Sequence, residues 1–217
     1  MRLIDLSQPI VHQGPNCPVH PPIEVETIAR HASDGWQMER LTVASHTGSH
    51  LDAPLHKLAG GRAIDGFPLE SFAGPAVIAD LRGLGADAAI GSGHLARTLP
   101  AYLKDRIVLL ATGWGDRRAR SEEWHFHSPF LSPEGARFLQ AAGIRGVGID
   151  HYSIGGSVEP GNAQTHEVLL SADIWILEDV RFSPEIFTVP QPFQLFALPV
   201  NLPGFSGAFC RPVAVLP

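Results

Sequence analysis

Cysteine is almost missing from this chain, with only Cys17 and Cys210 among 217 residues. Two thiols so far apart make no disulfide framework, and their spacing fits no structural zinc motif. Basic residues are also few: 16 Lys and Arg stand against 22 Asp and Glu, a net charge of −6, with no basic cluster. That balance speaks against a nucleic-acid or anionic-membrane partner. No apolar run approaches the roughly 18 residues needed to span a bilayer. The opening MRLIDLSQPI places an acid and a proline where a signal peptide needs a long apolar stretch, so a cytoplasmic protein is expected. No repeat, heptad or low-complexity tract appears, and no composition break marks a boundary. Residues 1–217 therefore read as a single domain, large enough to bury a core without disulfides.

Glycine (22) and proline (19) are abundant and imply many turns. Eleven histidines are the more informative excess, since imidazole is both a metal ligand and a proton carrier near neutral pH. The proline-rich stretch 12–24, HQGPNCPVHPPIE, reads as a stiff extended loop, long enough to be functional. Leu41–Ala44 reads as a strand leading into a histidine cluster. Buried strands are expected at 75–81, 106–111, 144–149 and 174–177, with later strands at 194–200 and 211–216. A helix at 133–142 has Ser132 as its cap, Pro133 in its first turn and Gly143 as its stop. Ser92 would cap a short helix through Leu99, and another helix would run from Thr165 through Leu170. Strands alternating with short helices indicate a mixed α/β domain.

His46, His50, Asp52 and His56 crowd into HTGSHLDAPLH, residues 46–56. Their shared even parity would point all four to one face of a strand. Residues four apart on a strand, however, lie about 13 Å from each other, too far to share one ion. A helix would join positions 46 and 50 but turn Asp52 away. Gly48 resolves the conflict, because glycine permits a bend that swings His46 towards His50 and Asp52. Those three are read as ligands, with His56 close by without being needed as one. Imidazole and carboxylate without thiolate suit zinc, manganese, iron or nickel, in an open catalytic site more than a closed structural one. Glu178 follows the apolar Ile174-Trp175-Ile176-Leu177, and a buried acid there would need a partner such as a cation.

HTGSHLDAPLH resembles the HxGTHxDxPxH signature of the cyclase family of metal-dependent hydrolases, which includes bacterial kynurenine formamidase, isatin hydrolase and a zinc-dependent dienelactone hydrolase. Ser49 stands for the usual Thr and keeps the hydroxyl. The similarity extends to DLSQPI, GRAIDGFPLESFAGPAVIADL, IVLLATGW, GVGIDHYSI and ALPVNLPGFSGAFCRPVAV. The resemblance implies a swivelling β/β/α domain with a mixed sheet, assembled as a homodimer or higher homo-oligomer. It also implies a two-metal site of His46, His50, Asp52, His166 and Glu178, holding zinc or manganese, with Glu167 the competitor should the register be off by one. The chemistry expected is hydrolysis of a small amide or ester, with water acidified from a pKa of about 15.7 to about 7 on zinc. His56 would carry the proton to the leaving group. Arylformamidase activity, N-formylkynurenine to kynurenine plus formate in tryptophan catabolism, is the leading expectation. Kynurenine formamidases place an aromatic residue in the first proline-rich loop, yet none lies between Val11 and Val25 here. Cyclic amides, lactones and a non-catalytic metal-binding role therefore stay open.

Cys17 and His20 are expected to line the substrate pocket, and Trp114 to form either its wall or part of the core. His151 is either a strand-end site residue or a loop histidine. His125 and His127 read as surface or pocket-rim residues, and His94 as an exposed helix position. Phe182, Phe187, Phe193 and Phe196 suggest core packing, pocket or dimer contacts.

Overall fold

A computed structural model describes residues 1–216. In chain order its elements are β1 (Arg2–Asp5), β2 (Glu24–Ala29), α1 (His31–Asp34), β3 (Met38–Thr42), β4 (His50–Asp52), β5 (Ala73–Asp80) and β6 (Ala89–Ile90). They continue with α2 (Ser92–Thr98), β7 (Ile107–Ala111), α3 (Glu122–Phe126), β8 (Phe130–Leu131), α4 (Pro133–Ala141) and β9 (Gly146–Ile149). The last are α5 (Gly161–Leu170), β10 (Trp175–Glu178), β11 (Phe193–Phe196), β12 (Gly207–Phe209) and β13 (Val213–Leu216).

The apolar runs 76–79 and 107–111 have no room for an exposed face, and they pair in parallel at the centre of a nine-stranded sheet. Its order is β1-β13-β11-β5-β7-β9-β10-β4-β12. Strands β5, β7, β9 and β10 are parallel, and antiparallel strands extend the sheet on both sides. The sheet is therefore mixed, as the resemblance implies. Alternate side chains feed two cores. Val77, Val108, Leu110 and Ile176 meet helix residues Leu95, Leu139 and Leu169 on one face. Ile78, Leu109, Trp175 and Leu177 pack with Phe72, Phe182 and Ile186 on the other. Phe193 joins this second core, whereas Phe196 is 40% exposed.

Helix α4 begins as its sequence dictates, with the Ser132 hydroxyl accepting the Gly135 amide at 3.1 Å. Elsewhere the local signals misplace boundaries. Gly91, not Ser92, precedes α2, because Glu134 reaches across from α4 to accept the Ser92 amide at 2.8 Å. Helix α5 starts at Gly161, one turn before Thr165. Leu41 and Thr42 end a hairpin strand paired with β2, so the extended run stops before Ala44 instead of leading into the histidines. Strand β11 stops at Phe196 instead of reaching Val200. Among the described residues, no helix is long and apolar enough to cross a membrane.

Candidate metal centre

The site is assembled where β4, β10 and α5 meet. Gly48 sits at φ +63, a conformation that side-chain-bearing residues adopt at a cost, and a Cβ there would lie 2.8 Å from Ile10 Cγ1. The bend reverses the chain between His46 and β4. In β4, His50 and Asp52 alternate with the core residue Leu51, so both point to the helix-covered face. Strand β10 runs antiparallel beside it with Glu178 opposite His50, which places the Glu178 carboxylate on that same face. Helix α5 crosses above and lowers His166 onto the group.

The geometry brings together all five residues that the sequence and its resemblance single out as ligands. His50 Nε2 lies 3.3 Å from Asp52 Oδ1 and 3.6 Å from Glu178 Oε2. His166 Nε2 lies 3.3 Å from Glu178 Oε1 and 3.8 Å from Asp52 Oδ2. His46 Nδ1 approaches Asp52 Oδ1 at 2.7 Å. Two ring orientations are fixed from behind: His50 Nδ1 donates to the Gly48 carbonyl at 2.8 Å, and His166 Nδ1 to the Asn162 carbonyl at 2.9 Å. Each therefore aims its Nε2 at the carboxylates, the arrangement by which an outer partner orients a metal-binding imidazole. Asp52 Oδ2 is buried without a hydrogen-bond partner. A buried, unpartnered carboxylate oxygen facing imidazole nitrogens is what a cation would satisfy, so the residues fit a divalent ion.

The electrostatics agree. Burial opposes charge on His50, yet its hydrogen bond to Asp52 and the charges of Asp52 and Glu178 prevail and raise its pKa to about 9. Burial, then the neighbouring charge of Asp52, pushes Glu178 up. Burial would raise Asp52 too, but hydrogen bonds from His46 and His50 hold it well below the ordinary carboxylate range. The carboxylates thus draw positive charge into a closed space. Two groups of three residues can each converge on an ion: His50, Asp52 and Glu178, and His46, Asp52 and His56. Asp52 belongs to both.

His56 follows Pro54 in a single helical turn, its ring centroid 4.1 Å from that of His46 and 5.9 Å from that of His166. Its ring opens on a cavity of ≈ 380 Å³ beside the ligands, and burial lowers its pKa to about 4. Cys17 and His20 line that cavity, together with Tyr152 and Phe126. Trp114 does not line it; the ring is 3% exposed and packs with Trp124 and Tyr152 in a separate core cluster. Glu167 is exposed and points away from the site. His151 is fully buried, accepting from Ser128 Oγ at 3.0 Å and donating to the Trp124 carbonyl at 2.7 Å, which makes it a structural residue. His127 pairs with Asp87 at 3.0 Å, and His125 lines a second cavity near the proline-rich loop. His94 is half-buried against Gly91.

Several residues that position the site carry no signal in the sequence alone. Ser206 lies 2.9 Å from His46 Nε2 and fixes that ring from the far side. Gly207, opposite Asp52 on β12, leaves room for His46, since a Cβ there would lie 2.5 Å from His46 Cε1. Asp179 follows Glu178 at φ +53 and is paired with Arg118 at 2.8 Å, both side chains buried.

A mixed sheet in an α/β fold gathers three imidazoles and two carboxylates beside a cavity, a candidate metal centre open to an accessible reaction space. The Cyclase family model matches residues 4–155, and the chain belongs to that family. It is 29% identical over 212 residues to the kynurenine formamidase of Bordetella avium (strain 197N), a match covering 93% of this chain and 91% of that protein. The structure of a predicted metal-dependent hydrolase from Bacillus stearothermophilus is 28% identical with a TM-score of 0.78, over 98% of this chain and 97% of that one. Isatin hydrolase A from Labrenzia aggregata, bound to benzyl benzoate, shares the fold with a TM-score of 0.82 at 23% identity, covering 98% and 93%.

Proposed function

We propose that this protein is a metal-dependent hydrolase of small amides, acting on an N-formyl arylamine of the N-formylkynurenine type. The observation that carries the reading is the pair of imidazoles locked with Nε2 towards the buried carboxylates of Asp52 and Glu178, with Asp52 Oδ2 left unpartnered 3.8 Å from His166 Nε2. His46, His50, Asp52, His166 and Glu178 would hold the metal. Nitrogen and carboxylate donors suit zinc first and manganese second. Bound there, the cation would supply Lewis acidity, making water nucleophilic at neutral pH and offsetting charge on the substrate carbonyl oxygen.

The remaining work falls to the protein. The neutral ring of His56 faces the cavity, so it can take a proton from the attacking water. As the C–O bond forms and the C–N bond breaks, the same ring returns that proton to the leaving nitrogen. Formate and a free amine result. Phe126 and Tyr152 provide an apolar wall for an aryl group, a role for which the proline-rich loop has no aromatic side chain. The chain's similarity to kynurenine formamidase supports the amide reading, and the likeness to isatin hydrolase keeps a cyclic amide as the second substrate class.

The test is turnover of N-formylkynurenine, isatin and a simple lactone by the zinc-loaded protein. Formamide cleavage that disappears on chelation and returns with zinc is the expected result. Preference for isatin would move the assignment to cyclic amides. Metal binding without turnover of any of them would overturn the hydrolase reading.

The homodimer or higher homo-oligomer implied by the resemblance is part of this proposal, and the dimer is its first form. Every residue of β3 is exposed, and its hairpin with β2 presents Ile28, Trp36, Met38 and Leu41 to solvent. A lone two-stranded hairpin is marginal in water, so a second copy that covers it would stabilise it. Light scattering is expected to give twice the chain mass, and a monomer at micromolar concentration would reject the dimer.

A further inference from the structure

The cavity beside the metal centre is bounded on one side by a thin partition, Cys17–His20. A second cavity of ≈ 390 Å³ lies behind it, and Cys17, Pro18 and His20 line both spaces. Val19 at its tip is 86% exposed. Cys17 touches the Trp114–Trp124–Tyr152 cluster, but a wall with open space on both faces receives little positional constraint from packing. Its place must come from its anchors.

One side chain from a distant segment supplies two of them. Arg118 sits in the segment after β7, far from the loop in sequence. Its Nη1 donates to the Pro9 carbonyl at 3.2 Å and its Nη2 to the Pro15 carbonyl at 2.8 Å. Its Nε contacts the Asp179 carboxylate at 3.0 Å, and the two side chains are 7% and 2% exposed. Arg120 adds one longer bond to the Gln13 carbonyl at 3.3 Å. Asp179 directly follows Glu178, and its own carbonyl accepts the hydroxyl of Ser49, the neighbour of His50, at 2.6 Å. The guanidinium therefore joins the root of the substrate-side loop to the two backbone segments that carry His50 and Glu178. The planar fork spreads its donors over three nitrogens and so meets a carboxylate and two carbonyls at separate points, a reach that the single nitrogen of an ammonium lacks.

We propose that Arg118 is a positioning residue that fixes the Cys17–His20 wall relative to the metal bed, and so sets which substrates the cavity accepts. The specificity part rests on the hydrolase reading above; the mechanical part does not. Hydrogen exchange read by mass spectrometry on the zinc-loaded full chain separates the two. The reporting amides are Gln13, bonded to the Ile23 carbonyl, and His20, bonded to the Cys17 carbonyl. In Arg118→Ala and Arg118→Lys, exchange over residues 9–23 is expected to rise about tenfold while that of β5 and β7 stays as in the wild type. Because a lone buried Asp179 could unfold the single variants, Arg118→Met combined with Asp179→Asn removes both charges and should show the same loosened loop. With a turned-over substrate, KM should rise more than kcat falls. Wild-type protection of the loop in the folded double variant, or full protection restored by lysine, would overturn the proposal. A wild-type protein without hydrolase activity would instead remove only the specificity part, leaving the exchange result to decide the clamp.

Discussion

Asp52→Asn is expected to yield a folded protein that no longer gains thermal stability from zinc and turns over amide about a thousandfold more slowly. The substitution keeps the shape of the side chain and removes the one charge that belongs to both convergent groups. In the wild type, zinc at 100 times its Kd adds about 2.7 kcal/mol to the unfolding free energy. For a chain of this size that corresponds to a Tm rise of about 5–10 °C. Asparagine presents a neutral oxygen or an N–H where the ions need an anion, so this gain should vanish. A metal site contributes several kcal/mol to stabilising charge in the transition state, and each 1.36 kcal/mol is a factor of ten. Differential scanning fluorimetry with and without zinc reads the first effect, and steady-state kinetics the second. A zinc-dependent Tm rise equal to the wild type's would remove Asp52 from the ligand set.

His56→Ala separates proton transfer from metal binding. The ring faces the cavity and stands beside His46 with no hydrogen bond of its own to the ligand carboxylates. Loss of a positioned proton carrier lowers kcat by about 100- to 10,000-fold. Metal content, measured on the purified variant by mass spectrometry, should match that of the wild type. A deficit of one ion would place His56 among the ligands of the second group, next to His46 and Asp52. The two outcomes cannot be confused, because the proton carrier affects rate and the ligand affects stoichiometry.

What the sequence revealed and what it hid follow from the range of each interaction. The motif 46–56 was legible because its chemistry is local: a glycine at φ +63 and a two-residue alternation decide which way three side chains point. The central strands were legible because strands buried on both faces need unbroken apolar runs. His166 and Glu178 lie a helix, a turn and a strand apart, and only the resemblance to a family pairs them. Ser206 reaches His46 across 160 residues, and Arg118 reaches Asp179 across 61, separations that leave no local pattern to read. The hairpin of β2 and β3 was legible only at Leu41 and Thr42. Every residue of β3 is exposed and only Ala29 of β2 is buried, so neither strand carries the unbroken apolar run that marks the central ones. Trp114 shows the same limit at close range, since a tryptophan after a strand end looks alike whether it walls a cavity or fills a core.

The opposition of Glu178 to His50 in neighbouring strands has an evolutionary corollary. A one-residue slip of β10 would turn Leu177 into the charged chamber and bury the carboxylate in the aliphatic layer. The short turn 171–174 that joins α5 to this strand should therefore tolerate no change of length, and changes of identity only at 171–173, since Ile174 is buried in the core. The exposed pair Gly85 and Ala86 carries no such restriction, and natural insertions should accumulate there.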